Sequence, residues 1–430
     1  MNQTSIAKNP PFFLDTFARY LPWLLPLLLL FSRAVADITV LAVGLAFLFN
    51  SYQYHDWAWT KQTWFKLNLV FWLYLLCINA PLSIDSADSF MHAIFYLRWP
   101  LFAAALAYWL LQDKKFQQHF LITLMLVCAF VLLDTSLQYI TGTDLFGHTK
   151  PSPTRLTGPY SRPIPGIMML RVLFIMLLIT VMIPSFATAT RRIFFTLSLL
   201  CIGLLFMFIT GERMALILFL AGSVVVLIGL VLDQKMHKAK VLLGFAFILG
   251  LFALAISFNP EMAERSVFSI INKLSQFVDS DYGLVFRAAI AAWQENPIVG
   301  SGFHTYQLAC EQLGLLPQWG IPCSHPHNLY LQIGAETGLI GLIIFFSMVA
   351  SIYFTALAQP IQSKKWFITC LSFTILSVSF WPLIGGISIL NNGVAALVWL
   401  GVGWSLAISI TTKSKTIISN SWPPRKISSI

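Results

Sequence analysis

The run His325-Pro326-His327-Asn328, followed by Gly338 and Gly341, sets two imidazoles where a long polar loop re-enters an apolar helix. An imidazole gains and loses its proton near neutral pH, so at an aqueous boundary it can accept one from a hydroxyl group. Arginines occupy the same kind of position. Arg155 and Arg162 precede an apolar run, Arg213 ends the turn Thr210-Gly211-Glu212-Arg213, and Arg265 and Arg287 stand in the loop ahead of the histidines. A guanidinium offers a planar fork of donors that fits phosphate oxygens. Proton acceptance beside a bound phosphorylated anion is the chemistry these residue types can perform together. A metal-based alternative rests on Asp279-Ser280-Asp281, but a lone acid pair in a loop reads as a solvated turn.

The elements that must position these groups are membrane helices. Hydrophobic residues make up 57% of the 430-residue chain, charged ones 10%, and mean hydropathy is +0.76, outside the range of soluble globular proteins. The expected fold is an all-α polytopic integral membrane protein. Twelve apolar runs of near-spanning length fall at about 17–31, 36–50, 65–79, 91–111, 118–139, 166–188, 192–210, 212–232, 241–258, 329–357, 366–388 and 391–411. The chain divides into 1–258 with spans one to nine, an extramembrane loop at 259–328, and 329–430 with the last three spans and a short tail. The first span has no convincing cleavage site and is expected to stay as an anchor.

Charge sets the orientation. With Lys8 and Arg19 cytoplasmic, alternate connections are basic: Lys61/Lys66, Lys114/Lys115, Arg191/Arg192, Lys235/Lys238/Lys240, Lys364/Lys365 and the tail. The net charge of +10 is therefore a topology signal spread over separate loops, and a nucleic-acid partner is not expected. The remaining basic residues, Arg33, Arg98, Lys150, Arg155, Arg162, Arg171, Arg213, Arg265, Lys273 and Arg287, face outward or sit in the outer halves of spans. That outward set is mostly arginine and the inward set mostly lysine, which points to an outward anionic ligand. Even-numbered spans start on the same outward side, so their positive N-termini add to the field there. Thr210 or Gly211 is the expected cap of the eighth span, and Pro326 suits the first turn of the tenth. Arg213 beside Glu212 has the alternative reading of an interfacial ion pair, and Arg33 and Arg98 read as snorkelling anchors.

The loop is expected to hold two short amphipathic helices near Glu261–Val278 and Gly283–Asn296, with Ile270, Ile271, Leu274, Phe277 and Val278 as an apolar face. Cys310 and Cys323 lie in this loop and are candidates for a disulfide on an oxidising side, whereas Cys77, Cys128, Cys201 and Cys370 lie in apolar spans. Gly334, Gly338 and Gly341 read as small residues that let a neighbouring helix approach.

The spacing His327-Asn328, Gly338, Gly341 resembles the signature of the O-antigen ligase and polymerase superfamily of bacterial envelope glycosyltransferases. Three other stretches are similar to it: Arg155 with Thr157-Gly158-Pro159, the Thr210–Arg213 turn, and Arg287 with Trp293 and Asn296 to Gly302. The resemblance implies a GT-C-like transferase in the bacterial inner membrane, its large loop and active site periplasmic. The donor would be an undecaprenyl-diphosphate-linked glycan and, in the ligase branch, the acceptor the lipid A core, with no metal or nucleotide cofactor. It also implies roles: His327, Arg213 and Arg287 catalytic, and Arg265, Arg155, Arg162, His325 and Asn328 substrate-binding. The polymerase branch uses the same donor with a second lipid-linked glycan as acceptor. A protein oligosaccharyltransferase fits the short basic tail less well, and a flippase for an anionic lipid would place its polar groups near the bilayer midplane. On this reading glycan transfer persists in EDTA, and a requirement for added divalent ion would return Asp279 and Asp281 to consideration.

Overall fold

The computed structural model describes residues 24–186, 188–233, 238–269, 280–314, 323–383 and 388–420. Among them the secondary structure is helical, with three isolated bridges and no strand. The helices are α1 Arg33–Tyr54, α2 Thr63–Tyr74, α3 Ser86–Tyr96, α4 Arg98–Tyr108, α5 Lys114–Thr141, α6 Pro165–Met176 and α7 Ala189–Ile209. They continue with α8 Arg213–Leu232, α9 Lys238–Phe258, α10 Asp281–Glu295, α11 Tyr306–Leu313, α12 Leu329–Gln362, α13 Trp366–Phe380 and α14 Asn392–Asn420. Nine described helices are long and apolar enough to cross a membrane, α3 and α4 counting as one, and Thr63–Asn79 and Trp366–Phe380 are shorter apolar helices. Of the first expected span, 17–31, residues 24–31 are described, as helix.

Burial sorts the bundle. In Asn392–Thr412 94% of the apolar window is covered by protein, against 11% in Lys238–Phe258, so α14 runs through the centre and α9 along the edge. On the outer surface large apolar side chains such as Ile140, Phe258 and Phe354 stay exposed, as a lipid-facing belt requires. α14 packs on α4, where Gly403 lies against Leu106 and Ala103, and α8 packs on α13, where Gly229 lies against Cys370. Small residues at these crossings bring the backbones close enough for dispersion contacts to hold helices that lipid would otherwise solvate equally well.

The expected loop helices are only partly what forms. A short helix Pro260–Ala263 runs into a π-type turn at Glu264–Phe268, α10 begins at Asp281, and α11 is an additional helix. The apolar face at Ile270, Ile271, Leu274, Phe277 and Val278, along with Asp279, lies outside the described residues. Cys310 and Cys323 are joined as a disulfide, with Cα atoms 5.7 Å apart.

The glycines of α12 need a correction. Gly334 does admit a close neighbour, the Trp293 ring, and Gly341 lies against Tyr74. Gly338 instead breaks the helix, with φ 63° and ψ −170°. The break is repaired by the segment 297–303. Leu339 N–H donates to Pro297 O at 2.9 Å and Ile340 N–H to Ile298 O at 3.2 Å, while Ser301 and Gly302 N–H donate to Ala335 O and Glu336 O, both at 2.9 Å. Asn79 adds bonds from its amide to Val299 O (2.8 Å) and Glu336 O (2.9 Å), and Tyr74 hydroxyl donates to Thr337 O at 2.7 Å. Irregular backbone inside an apolar bundle survives because protein groups take up the freed donors and acceptors.

A Cβ on Gly338 would stand 2.2 Å from Ile298 O, and its backbone angles belong to glycine. Gly338→Ala is therefore expected to cost about 2–4 kcal/mol, read as a lower thermal midpoint of the purified protein in detergent.

Candidate active site

The turn between α7 and α8 is built around Gly211, whose φ of +70° and lack of a Cβ let Thr154 O come to within 1.9 Å of where a Cβ would be. This close approach lays the Arg155 strand of loop over the mouth of α8. Arg265, from the π-type turn after α9, donates its Nε to Gly211 O at 3.1 Å. Arg213, at the first position of α8, donates its Nε to Arg265 O at 2.8 Å. Each arginine is thus pinned through Nε to a main-chain carbonyl. The terminal nitrogens of both have no hydrogen bond among the described residues.

Arg155 completes the group. Its Nη2 reaches Pro163 O at 3.4 Å and its Nε is buried with no partner. Burial and then the positive charges of Arg155 and Arg213 push the Arg265 pKa down, the mark of cations held close in partial burial. Three guanidiniums together, with no ion pair to a carboxylate among the described residues, make a site that an anion would relieve.

Glu212 is not the partner that its neighbour in sequence suggests. No Arg213–Glu212 ion pair forms among the described residues. The carboxylate instead accepts the N–H groups of Gly166 (2.6 Å) and Ile167 (3.1 Å) at the start of α6, where the helix dipole favours negative charge. Burial nevertheless raises its pKa to about 7, against these two bonds and the charges of Arg155 and Arg171. The N-terminus of α6 is consequently filled by protein. At α8 neither Thr210 nor Gly211 is the cap: Glu212 holds that position without a side-chain bond, and the Thr210 hydroxyl turns back to Met207 O. The N-terminus of α8 has no side-chain cap, and it lies beside the arginines.

Tyr282, on the first turn of α10, ties this cluster to the histidines. It lies near Arg265, and its ring meets His327 edge-on at 5.6 Å between centroids. His327 takes φ 51°, in the left-handed region. His327 N–H donates to His325 Nδ1 at 3.0 Å, and the two rings stand at 85° with centroids 4.3 Å apart. His327 Nδ1 is buried without a partner. Burial, and then His325, depress the His327 pKa to about 4. The imidazole is accordingly neutral at physiological pH, with a buried ring nitrogen, Nδ1, that has no hydrogen-bond partner.

The other sequence candidates have different settings. Asn328 caps α12, its Oδ1 accepting Tyr330 N–H (3.0 Å) and Leu331 N–H (3.2 Å), so its carbonyl serves the helix mouth that carries His327. Arg287 is exposed on α10, the helix of Tyr282, with no hydrogen bond to the cluster among the described residues. Arg162 is exposed too, at the rim of a separate cavity of about 350 Å³ that Ser32, His148, Tyr160 and Asn391 also line. Arg98, read as a lipid anchor, is bonded to Asp37 at 2.8 Å and Asn392 at 3.0 Å. The Cys310–Cys323 bridge ends two residues before His325 and ties that stretch to α11. Sequence reading missed Tyr282 and the capping role of Glu212. It also missed Asp88, His92 and His304, whose ligand atoms lie within 4.8 Å of one another.

Residues 196–346 match the family model for O-antigen ligase. Over that third of its length the chain is similar to the O-antigen ligase family. The family segment carries Arg213, Arg265, Tyr282, Arg287, His325 and His327, whereas Arg155 and Arg162 lie ahead of it. No curated protein matches the sequence.

The histidine setting fixes a pH dependence. With a pKa near 6.5 unfolded and about 4 folded, His327 binds its proton more tightly in the unfolded chain. Its contribution to stability is thus present above pH 6.5 and lost as pH falls toward 4. Imidazole NMR of selectively labelled protein, assigned against His327→Ala, should find this ring uncharged at pH 6.

Proposed function

We propose that the chain is an O-antigen ligase that moves a glycan from undecaprenyl diphosphate to the lipid A core, at the periplasmic face of the bacterial inner membrane. The observation that carries this reading is the trio Arg155, Arg213 and Arg265, which form no ion pair with a carboxylate among the described residues, with Tyr282 near Arg265 and edge-on to a neutral His327. A sugar diphosphate already has a good leaving group. Catalysis then needs charge neutralisation at the departing phosphate and one acceptor for a proton.

In the proposed step the acceptor hydroxyl attacks the anomeric carbon as its proton passes to His327. The bond from that carbon to the diphosphate oxygen breaks with inversion, and the electron pair leaves with the diphosphate. The terminal nitrogens of Arg213 and Arg265, with Arg155, take up the charge that develops there, and the uncapped N-terminus of α8 adds its dipole. Arg287, exposed on the neighbouring helix, is suited to gripping the glycan diphosphate on entry. The chemistry calls on no metal ion.

Two buried charges within the spans bear on the flippase alternative. Arg171 donates to Ile167 O on its own helix, and Glu336 accepts from Gln332 and from His304 N–H. Glu336 is engaged with protein at the α12 break, which favours a static scaffold over a transport path, whereas Arg171 keeps Nε and Nη2 buried without a hydrogen-bond partner.

Purified protein reconstituted with lipid-linked glycan and rough lipopolysaccharide tests the reading. Native protein should extend the lipopolysaccharide, and consumption of lipid-linked glycan as its own acceptor would assign the polymerase branch instead. His327→Ala should insert normally and lose transfer by a factor of about 10²–10⁴. Arg213→Lys should lose most activity because a point charge does not replace the fork, and full activity in either variant would remove that residue from the step.

A further inference from the structure

We propose that Asp88, His92 and His304 form a binding site for a divalent transition-metal ion of the zinc type, one that staples α3 to the segment repairing the α12 break. The site is separate from the arginine cluster, and the proposal does not rest on the glycosyl-transfer reading. Asp88 and His92 are four residues apart on one face of α3. His304 comes from the far end of the 297–303 segment, and its ring lies on that of His92 at 3.5 Å between centroids, 14° from parallel.

The spacing of the donor atoms suits a metal, and binding would turn the stacked rings so that both lone pairs converge on it, His92 Nδ1 giving up its 3.0 Å contact with Asp88 O. Asp88 Oδ2 lies 3.4 Å from His92 Nδ1 and 3.1 Å from His304 Nδ1. Ligands about 2.0–2.2 Å from a tetrahedral zinc ion are about 3.3 Å from each other. Two imidazoles and a carboxylate also make a borderline donor set that suits zinc over magnesium or calcium.

The surroundings hold His304 in place for this. Its backbone is left-handed, with φ 72°, which costs energy for a side chain other than glycine. The strain is held by Glu336 Oε2, which accepts His304 N–H at 3.0 Å, and by Asn79 Oδ1, which accepts Phe303 N–H at 2.8 Å. Ser89, on α3, also donates its hydroxyl to Phe303 O at 3.0 Å. With part of the cluster exposed, a water can fill the fourth position. A bound ion would tie α3 to the same backbone that supplies Pro297 O and Ile298 O to the break, so its effect should be on stability, not on the transfer step.

Tag-free protein, stripped with EDTA in detergent and titrated with zinc against a chromophoric chelator, should bind one ion per chain. Zinc should also raise the thermal midpoint. His92→Ala and His304→Ala should each weaken binding by roughly tenfold or more and abolish the zinc-dependent rise, whereas His325→Ala should retain both. Cobalt(II) gives a readout on the native chain that does not depend on variants folding: strong visible bands of four-coordinate cobalt support the site. Weak six-coordinate bands, absence of stoichiometric zinc binding, or binding unchanged in both His92→Ala and His304→Ala would overturn it.

Discussion

Three like charges held together at partial burial are the constraint around which this structure is arranged. Guanidiniums repel one another, and at the reduced dielectric of a protein surface the cost is several times that in water. The chain meets it by binding each Nε of Arg213 and Arg265 to a carbonyl, fixing the stems while the forks stay open. Gly211 makes this possible, since a side chain there would drive off the Thr154 carbonyl and with it Arg155. Glu212 sits near enough to moderate the field but is turned to the α6 N-terminus. Had it paired with Arg213, the cluster would be neutralised by protein and would have less need of an outside anion.

The second device is the interrupted helix. α12 begins just after His327 and is broken at its tenth residue, Gly338. The 297–303 segment takes up the backbone groups the break releases, and Tyr74 and Asn79 bind both edges of the repair. The histidine mouth, the loop and α2 are therefore mechanically one unit. Substitution at Gly338 would act on His327 through backbone position alone, without any contact to substrate.

That the chain is a bundle of membrane-length helices was legible in the sequence, because an apolar run of spanning length has few other stable fates, although nine described helices reach that length against the twelve expected. Arg213, Arg265 and Arg155 were found from residue type at helix mouths, and His327 from its spacing to the glycines. The role of Glu212 was not legible, because the N–H groups it binds, those of Gly166 and Ile167, belong to another helix. Gly338 was misread because a break and a close crossing both ask for glycine, and only the carbonyls of Pro297 and Ile298 decide between them. Tyr282 and the Asp88–His92–His304 group depend on contacts between segments more than a hundred residues apart or between unlike elements. Such contacts leave no periodic trace.

A high-resolution structure of the protein in a lipid nanodisc with undecaprenyl diphosphate tests the central claim most directly. The account predicts the diphosphate within about 3 Å of the terminal nitrogens of Arg213 and Arg265, with Arg155 alongside and His327 facing the position of the missing sugar. Diphosphate bound elsewhere while these guanidiniums remain empty, or the cluster turned to the cytoplasmic side, would contradict it.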